Sequence, residues 1–295
     1  MKSTLYPVLS NKNRHPRDEN IIFFEEGHKY TIITDPDCKY TSVTTWNHSH
    51  FPHFDADKVI ENMMNGKSWK KGHKYWGKTS EEIKSLWNLN KEAVSTAGTD
   101  LHHEIERFNN DKRFNFKYTN KELYQIYNLD NEETHNFKPL EWKYYINFIK
   151  DYPNLAPYRT EWLIYDDDTK IAGSIDMVYE NPDGTLSIYD WKRCKNITRV
   201  NYFNSFASSV EICHLPDSNF WHYALQLNTY KFIIEKKYGK KIKELFLVRL
   251  HPNAEEENYE LISIPILSRE INDLFKRRKK ELIEETNTNT IEETI

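Results

Sequence analysis

The chain has 295 residues, 38% hydrophobic and 29% charged, enough to bury a substantial core as one large domain or two closely packed lobes. No apolar run approaches the roughly 18 to 20 residues that span a bilayer, so no membrane partner is expected. The start, MKSTLYPVLSNKNRHPRDEN, has no apolar h-region and mixes Asp18 and Glu19 among its basic residues, against a signal or transit peptide. Cys38, Cys194 and Cys213 form no C-x-x-C; they argue against a disulfide framework, are too few for an iron–sulfur cluster, and fit a reducing, intracellular compartment, cytoplasmic or nuclear. A net charge of −4 does not mark a nucleic-acid binder as a whole, which leaves local patches to be read.

Residues 1–20 are polar and irregular. From Ile21 to Thr45 the runs IIFF, KYTIIT and YTSVTT carry the β-branched and aromatic residues of strands. A short helix is expected over Asp55 to Met64. Residues 64–78, MNGKSWKKGHKYWGK, hold five lysines and no acid, with Trp69, Tyr75 and Trp76 among them. Such a segment can contact phosphates through Lys67, Lys70, Lys71 and Lys74 and stack on bases through Trp69 and Trp76. It can equally be a solvated loop anchored by its aromatics.

Thr79-Ser-Glu-Glu82 fits a capping box that starts a short helix. A longer helix is expected over Glu92 to Phe108, where Val94, Ala97, Leu101, Ile105 and Phe108 make one apolar stripe. Residues 109–138 are polar and aperiodic, an insertion with at most a short helix. A helix from Leu140 to Lys150 follows, then strands over Tyr158–Tyr165, Ile171–Glu180 and Thr185–Lys192. A loop-rich stretch leads to a helix over Trp221–Lys237, closed by Gly239. ELFLVRLHP and NYELISIPI are strands, Leu267 to Glu285 is an amphipathic helix, and residues 285–295 form a disordered tail. The order predicts an α/β core with a mixed sheet.

The hairpin GSIDMVYENPDGTLSIYDWKR, residues 173–193, places Asp176, Asp190 and Lys192 inside strands, where Asp and Lys are poorly favoured. Asp190 and Lys192 share a face. If Asn181 pairs with Gly184, Asp176 opposes Tyr189 and the aspartates lie on different faces. One further residue in the loop brings Asp176 opposite Asp190. Facing carboxylates repel unless a cation or proton intervenes, and hard oxygen ligands favour Mg²⁺ or Mn²⁺. Lys192 can then orient water or offset developing charge. A plain solvated hairpin face accounts for the same residues.

Further pairs bear on the choice. His102 and Glu106 are i, i+4 on one helix face, beside the apolar stripe. Gln226 and Tyr230 are similarly spaced, and such a pair can hold a backbone phosphate. Glu161 is an acid within an apolar strand, where it can serve as a ligand or simply pair with Arg159. Gly173 allows close backbone approach.

Taken in order, Gly98-x-x-x-His102-x-x-Ile-Glu106, Glu161, Gly173-x-x-Asp176, Asp190-x-Lys192 and Gln226-x-x-x-Tyr230 resemble the RecB-type branch of the PD-(D/E)xK nuclease superfamily. The likeness is nearest to its single-domain exonucleases, a group with mitochondrial genome-maintenance, viral and phage members, and it spans residues 93–250. It implies a restriction-endonuclease-like core over residues 91–284, preceded by an N-terminal β-containing extension over residues 1–90. It implies Asp176, Asp190 and His102 as metal ligands for Mg²⁺ or Mn²⁺, Lys192 as catalytic lysine, Glu161 as the acid of the preceding strand, and Gln226 and Tyr230 as nucleic-acid contacts. Asp190 stands where many members have Glu. The expectation is a metal-dependent deoxyribonuclease acting on single strands or DNA ends in replication, repair or recombination, leaving 5′-phosphates. An RNA endonuclease with the same residues, a structure-specific DNA endonuclease and an inactive nucleic-acid-binding module are the alternatives. A Lys-, Asn- and Ile-rich composition fits an AT-rich, viral or phage genome, and then a host-cytoplasmic location.

Overall fold

The structure, a computed structural model, describes residues 6–113, 116–131 and 139–292, and the side chains of residue 286 and residues 288–292 lie outside the description. In chain order the elements are α1 (Val8–Lys12), β1 (Ile21–Phe24), β2 (Lys29–Ile32), β3 (Thr41–Ser42), α2 (Val43–His48), α3 (Ala56–Met64), α4 (Ser80–Asn109), α5 (Asn120–Ile126), α6 (Leu140–Asp151), β4 (Ala156–Asp166), β5 (Ile171–Glu180), β6 (Leu186–Lys192), α7 (Asn219–Lys237), β7 (Ile242–Arg249), β8 (Glu260–Ser263) and α8 (Ser268–Glu292). The fold is α/β, with a mixed six-stranded sheet flanked by helices. No helix among the described residues is long and apolar enough to cross a membrane.

The sheet runs β4-β5-β6-β7-β8, with β6 and β7 parallel and the other neighbours antiparallel. β3 pairs in parallel with the first residues of β5. A strand has two edges, and β4 occupies one edge of β5, so β3 and β6 share the other. β3 covers positions 171–172 and β6 covers positions 177–180. Between them the edge of β5 is open, and the chemistry-bearing residues gather in that opening.

Two cores lie on opposite faces of the sheet. One joins Val178, Ile188, Leu245 and Leu247 to α2, α7 and α8 through Val43, Leu225, Ile233 and Phe275. The other joins Met177, Tyr179, Tyr189 and Trp191 to α4, α5 and α6 through Ile105, Leu123, Tyr145 and Phe148. These faces follow the period-2 alternation of the strands. The β1–β2 hairpin forms its own two-stranded sheet and packs Phe23, Tyr30 and Ile32 against Tyr165 and Ala172.

Several elements differ from the sequence expectation. YTSVTT is strand only at Thr41–Ser42; the Ser42 side chain accepts the Thr45 N–H at 3.0 Å and caps α2, so a local cap overrides β propensity. The two helices expected on either side of residue 90 are one, α4, which starts at the Thr79 capping box. Its apolar stripe is buried only at Leu101, Ile105 and Phe108; Val94 is 41% exposed, and no residue between Ile83 and Leu101 is buried. α8 runs on to Glu292, past Glu285 where a disordered tail was expected. Of the polar insertion, α5 is described, whereas residues 114–115 and 132–138 lie outside the described residues, as do residues 293–295 of the tail.

Candidate metal centre and active site

The turn between β5 and β6 sets the site. The Asn181 N–H donates to the Thr185 carbonyl at 2.8 Å, and Gly184 N–H to the Asn181 carbonyl at 2.9 Å, leaving Pro182, Asp183 and Gly184 as a three-residue loop. Gly184 takes φ +78°, the left-handed conformation that such loops require. The Asp183 carboxylate accepts the Thr185 N–H at 3.0 Å and fixes the turn. An odd loop gives the register Met177↔Tyr189, Val178↔Ile188 and Tyr179↔Ser187. Continued one step past the last paired residues, it sets Asp176 opposite Asp190. The Trp191 N–H, with no β5 carbonyl to meet, donates to Asp176 Oδ2 at 3.0 Å.

The neighbouring strand is strained at the same level. Glu161 has φ +43°, rare for a residue with a side chain. It falls between the Thr160↔Met177 and Trp162↔Ile175 pairs, so β4 and β5 lose their pairing together at Glu161 and Asp176. Ile175 packs in the α7-side core and Met177 in the α6-side core, although regular alternation would put both on one face. The kink turns Glu161 toward the fork, where its Oε2 accepts the Ser174 hydroxyl at 2.9 Å. The Arg159 partner is Asp18, at 2.7 Å, rather than Glu161.

His102 enters from α4. Its Nε2 lies 3.0 Å from the Trp191 carbonyl, which can only accept, so Nε2 carries the proton. Nδ1 lies 3.6 Å from Asp176 Oδ2, too long for a good hydrogen bond. Ligand atoms of His102, Glu161 and Asp176 all lie within 4.8 Å of one another. Asp190, expected as a ligand beside His102 and Asp176, is not in this trio. It is 2% exposed and faces Lys192 Nζ at 2.5 Å, an ion pair without an aligned donor on Oδ2.

The charges do not balance. Asp176, Asp190 and Glu161 meet one ammonium. Burial, then the charge of Asp190, pushes the Asp176 carboxyl up to about 7, with His102 pulling the other way. Burial lowers Lys192, but the charges of Asp190 and Asp176 outweigh it and hold the ammonium above its ordinary range. Lys192 also lies 4.6 Å over the Tyr223 ring of α7. Two carboxylates and an imidazole nitrogen make a donor set that a metal ion can use. The second ring nitrogen of His102, held by a backbone carbonyl, is the usual support of a ligating histidine. The residues therefore fit a divalent cation.

Other expected residues fall around this centre. A Cβ on Gly173 would lie 2.8 Å from Cε1 of Tyr230 and 3.0 Å from Cγ2 of Val43, so only glycine admits the tyrosine ring. Tyr230 is 3% exposed, and Gln226 Nε2 donates to its hydroxyl at 3.1 Å. This pair supports the fork from below, with Tyr230 inside the core and not at a surface. Glu106 is buried one turn beyond His102 and helps line a cavity of about 460 Å³ with His102, Glu161, Ser174, Phe23 and Tyr30. Lys67, Lys70, Lys71 and Lys74 are exposed, and Trp69 and Trp76 lie 5.8 Å apart, Trp76 being 48% exposed.

Sequence reasoning missed Tyr223, the Trp191 backbone and the β1–β2 wall of the cavity. Tyr223 was findable, since it lies three residues before Gln226 on one helix face. Nothing in IIFF or KYTIIT points to a cavity wall.

No protein-family model matches the chain, and no curated protein matches it. Among solved structures, the crystal structure of SSO0001 is similar at a TM-score of 0.23 and 16% identity, over 42% of this chain and 50% of that one. The chain thus spans about half the length of that structure.

Proposed function

We propose that this protein is a divalent-metal-dependent nuclease that hydrolyses phosphodiester bonds in DNA, acting on single strands or ends. The observation that carries the reading is the fork between β5 and β6: a three-residue loop sets Asp176 opposite Asp190 beside Glu161, His102 and a single ammonium, Lys192. Such crowding of partly buried carboxylates is relieved by a proton or by a cation, which supports a metal site here.

His102, Glu161 and Asp176 would hold the ion. When bound, it supplies Lewis-acid polarisation of a phosphoryl oxygen and acidification of water. The charges of Asp190 and Asp176 favour the ammonium form of Lys192, which would donate hydrogen bonds and offset charge on the phosphoryl group. Asp190 orients that ammonium, and Tyr223 backs it. Tyr230 and Gly173 keep β5 close to α7. The cavity beside His102 and Glu161 is of nucleotide size, in keeping with a strand end as substrate. Lys67, Lys70, Lys71 and Lys74, with Trp69 and Trp76, would guide the strand.

Matched linear and circular single strands of DNA and RNA, incubated with Mg²⁺ or Mn²⁺, test the substrate reading. Degradation of linear DNA with 5′-phosphate products, and intact circles, is the expected result. Cutting of circles would make it an endonuclease, and preference for RNA would replace the substrate.

A further inference from the structure

We infer that Tyr202 and Phe203 form a preformed base-stacking tip that engages single-stranded nucleic acid next to the active site. This rests on the nuclease reading above. The two rings are 86% and 93% exposed, in adjacent positions, at the turn of the loop that leaves β6 after Lys192. Two adjacent rings exposed to this degree leave their faces open to a partner.

The turn is built to present them. Asn201 Oδ1 accepts the N–H groups of Phe203 at 2.8 Å and Ser205 at 3.3 Å, while Asn201 Nδ2 donates to the Asp217 carbonyl at 2.6 Å. Asn204 takes φ +54°, a conformation that asparagine tolerates. The limb behind it is closed by Asp217 N–H to the Ser205 carbonyl at 2.9 Å and Ala207 N–H to the Leu215 carbonyl at 3.0 Å. The backbone that carries the rings is therefore held on a fixed turn, which limits the backbone part of the ordering cost of binding.

The tip is tied to the active site through the first turns of α7. Trp221 Nε1 donates to the Arg199 carbonyl at 3.0 Å, and the Arg199 guanidinium lies 4.1 Å over Phe220. Two residues beyond Trp221, Tyr223 carries Lys192. Phe203 is four residues past Arg199, no more than about 14 Å of extended chain. Chemistry favours nucleic acid as the occupant. Residues 191–210 contain no Asp or Glu; of their four cations Lys192 pairs with Asp190 and Arg193 with Glu141, and Lys195 and Arg199 are left for phosphate, with the Asp217 carboxylate on the far limb at Ser205. Cations that precede open aromatic faces in one acid-free segment are what a single strand recruits, phosphate by phosphate and base by base.

The test is anisotropy of a labelled single-stranded oligonucleotide of about 20 nucleotides, in EDTA so that nothing is cleaved. Stacking on each ring contributes about 1–3 kcal/mol, so Tyr202→Ala with Phe203→Ala should weaken Kd by about 30-fold or more at unchanged Tm. Tyr202→Phe with Phe203→Trp should bind like wild type. The salt slope should stay the same in these variants and fall by about 0.7 per cation lost in Lys195→Ala and Arg199→Ala. Unchanged affinity in the double-alanine variant, no binding by wild type, or a change in oligomeric state or vesicle association with affinity intact would each overturn the tip. The nuclease reading is judged separately, by metal-dependent cleavage that Lys192→Ala removes.

Discussion

The fork between β5 and β6 and the stretch from Gly66 to Lys78 carry similar residue types, charges interleaved with aromatics, and hold them in opposite ways. In the fork the charges are enclosed. Asp190 is buried, Asp176 accepts a backbone N–H, Lys192 lies between Asp190 and Tyr223, and strand register fixes their spacing. In the basic stretch the lysines reach into solvent, and the aromatics pack mainly on one another and on Trp87, which donates to the Tyr75 hydroxyl at 3.0 Å. Enclosure makes charges strong and costly, which suits chemistry. Exposure makes them screened and adaptable, which suits a polyanion tracked along its backbone.

The largest effect expected from that contrast is a pH-dependent gain in stability on relieving the fork. The Asp176 pKa in the folded protein, about 7, stands above the ordinary carboxyl value of 3.8. The folded state then binds the proton more tightly, so the stability this group contributes is present below pH 4 and lost as pH rises through 7. Asp176→Asn should therefore gain little at pH 4.5 and the most at pH 8, at most about 4 kcal/mol, measured by denaturant melts across pH. Added Mn²⁺ at pH 8 should raise the Tm of the wild type and not that of the variant. A Tm difference independent of pH would contradict the enclosure of Asp176.

Next is Gly173→Ala, which drives a methyl group into Tyr230. It should cost about 1–3 kcal/mol, or several degrees in Tm, and the same change at Gly98, where a Cβ meets nothing within 4 Å, should not. Replacing Lys67, Lys70, Lys71 and Lys74 together with Ala should leave Tm within a degree while flattening the salt dependence of oligonucleotide binding by as much as about 3 log units per log unit of salt. The smallest effect belongs to the exposed stem of α4, where Val94→Ser should fall within about 0.5 kcal/mol. Ile105→Ala, on the same helix but 1% exposed, should cost about 2–5 kcal/mol.

Strands and helices with a clear period were legible in the sequence. β4, β5, β6, α6 and α7 fall within two residues of expectation because alternation and the 3.6 period decide which faces are buried. The register question was also posed by the sequence, since Asn-Pro-Asp-Gly allows either loop; the Asn181–Thr185 hydrogen bond decides it. What the sequence did not carry was contact between distant segments. The Glu161 kink lies opposite Asp176 across the sheet, and one wall of the cavity comes from the β1–β2 hairpin, which packs on β4 and β5. Val94 misled because periodicity marks an apolar face without saying whether anything covers it. The loop after Lys192 carried no period, so its exposed Tyr202 and Phe203 became visible only in three dimensions.

The most direct test of the central claim is cleavage of end-labelled single-stranded DNA by wild type and Lys192→Ala side by side, each with Mn²⁺ and with EDTA. The fork, as an active site, predicts nucleotide release by wild type with Mn²⁺ alone and a loss of at least about 100-fold in the variant, both proteins melting cooperatively. Equal cleavage by the two proteins, or none by either with metal present, would contradict it.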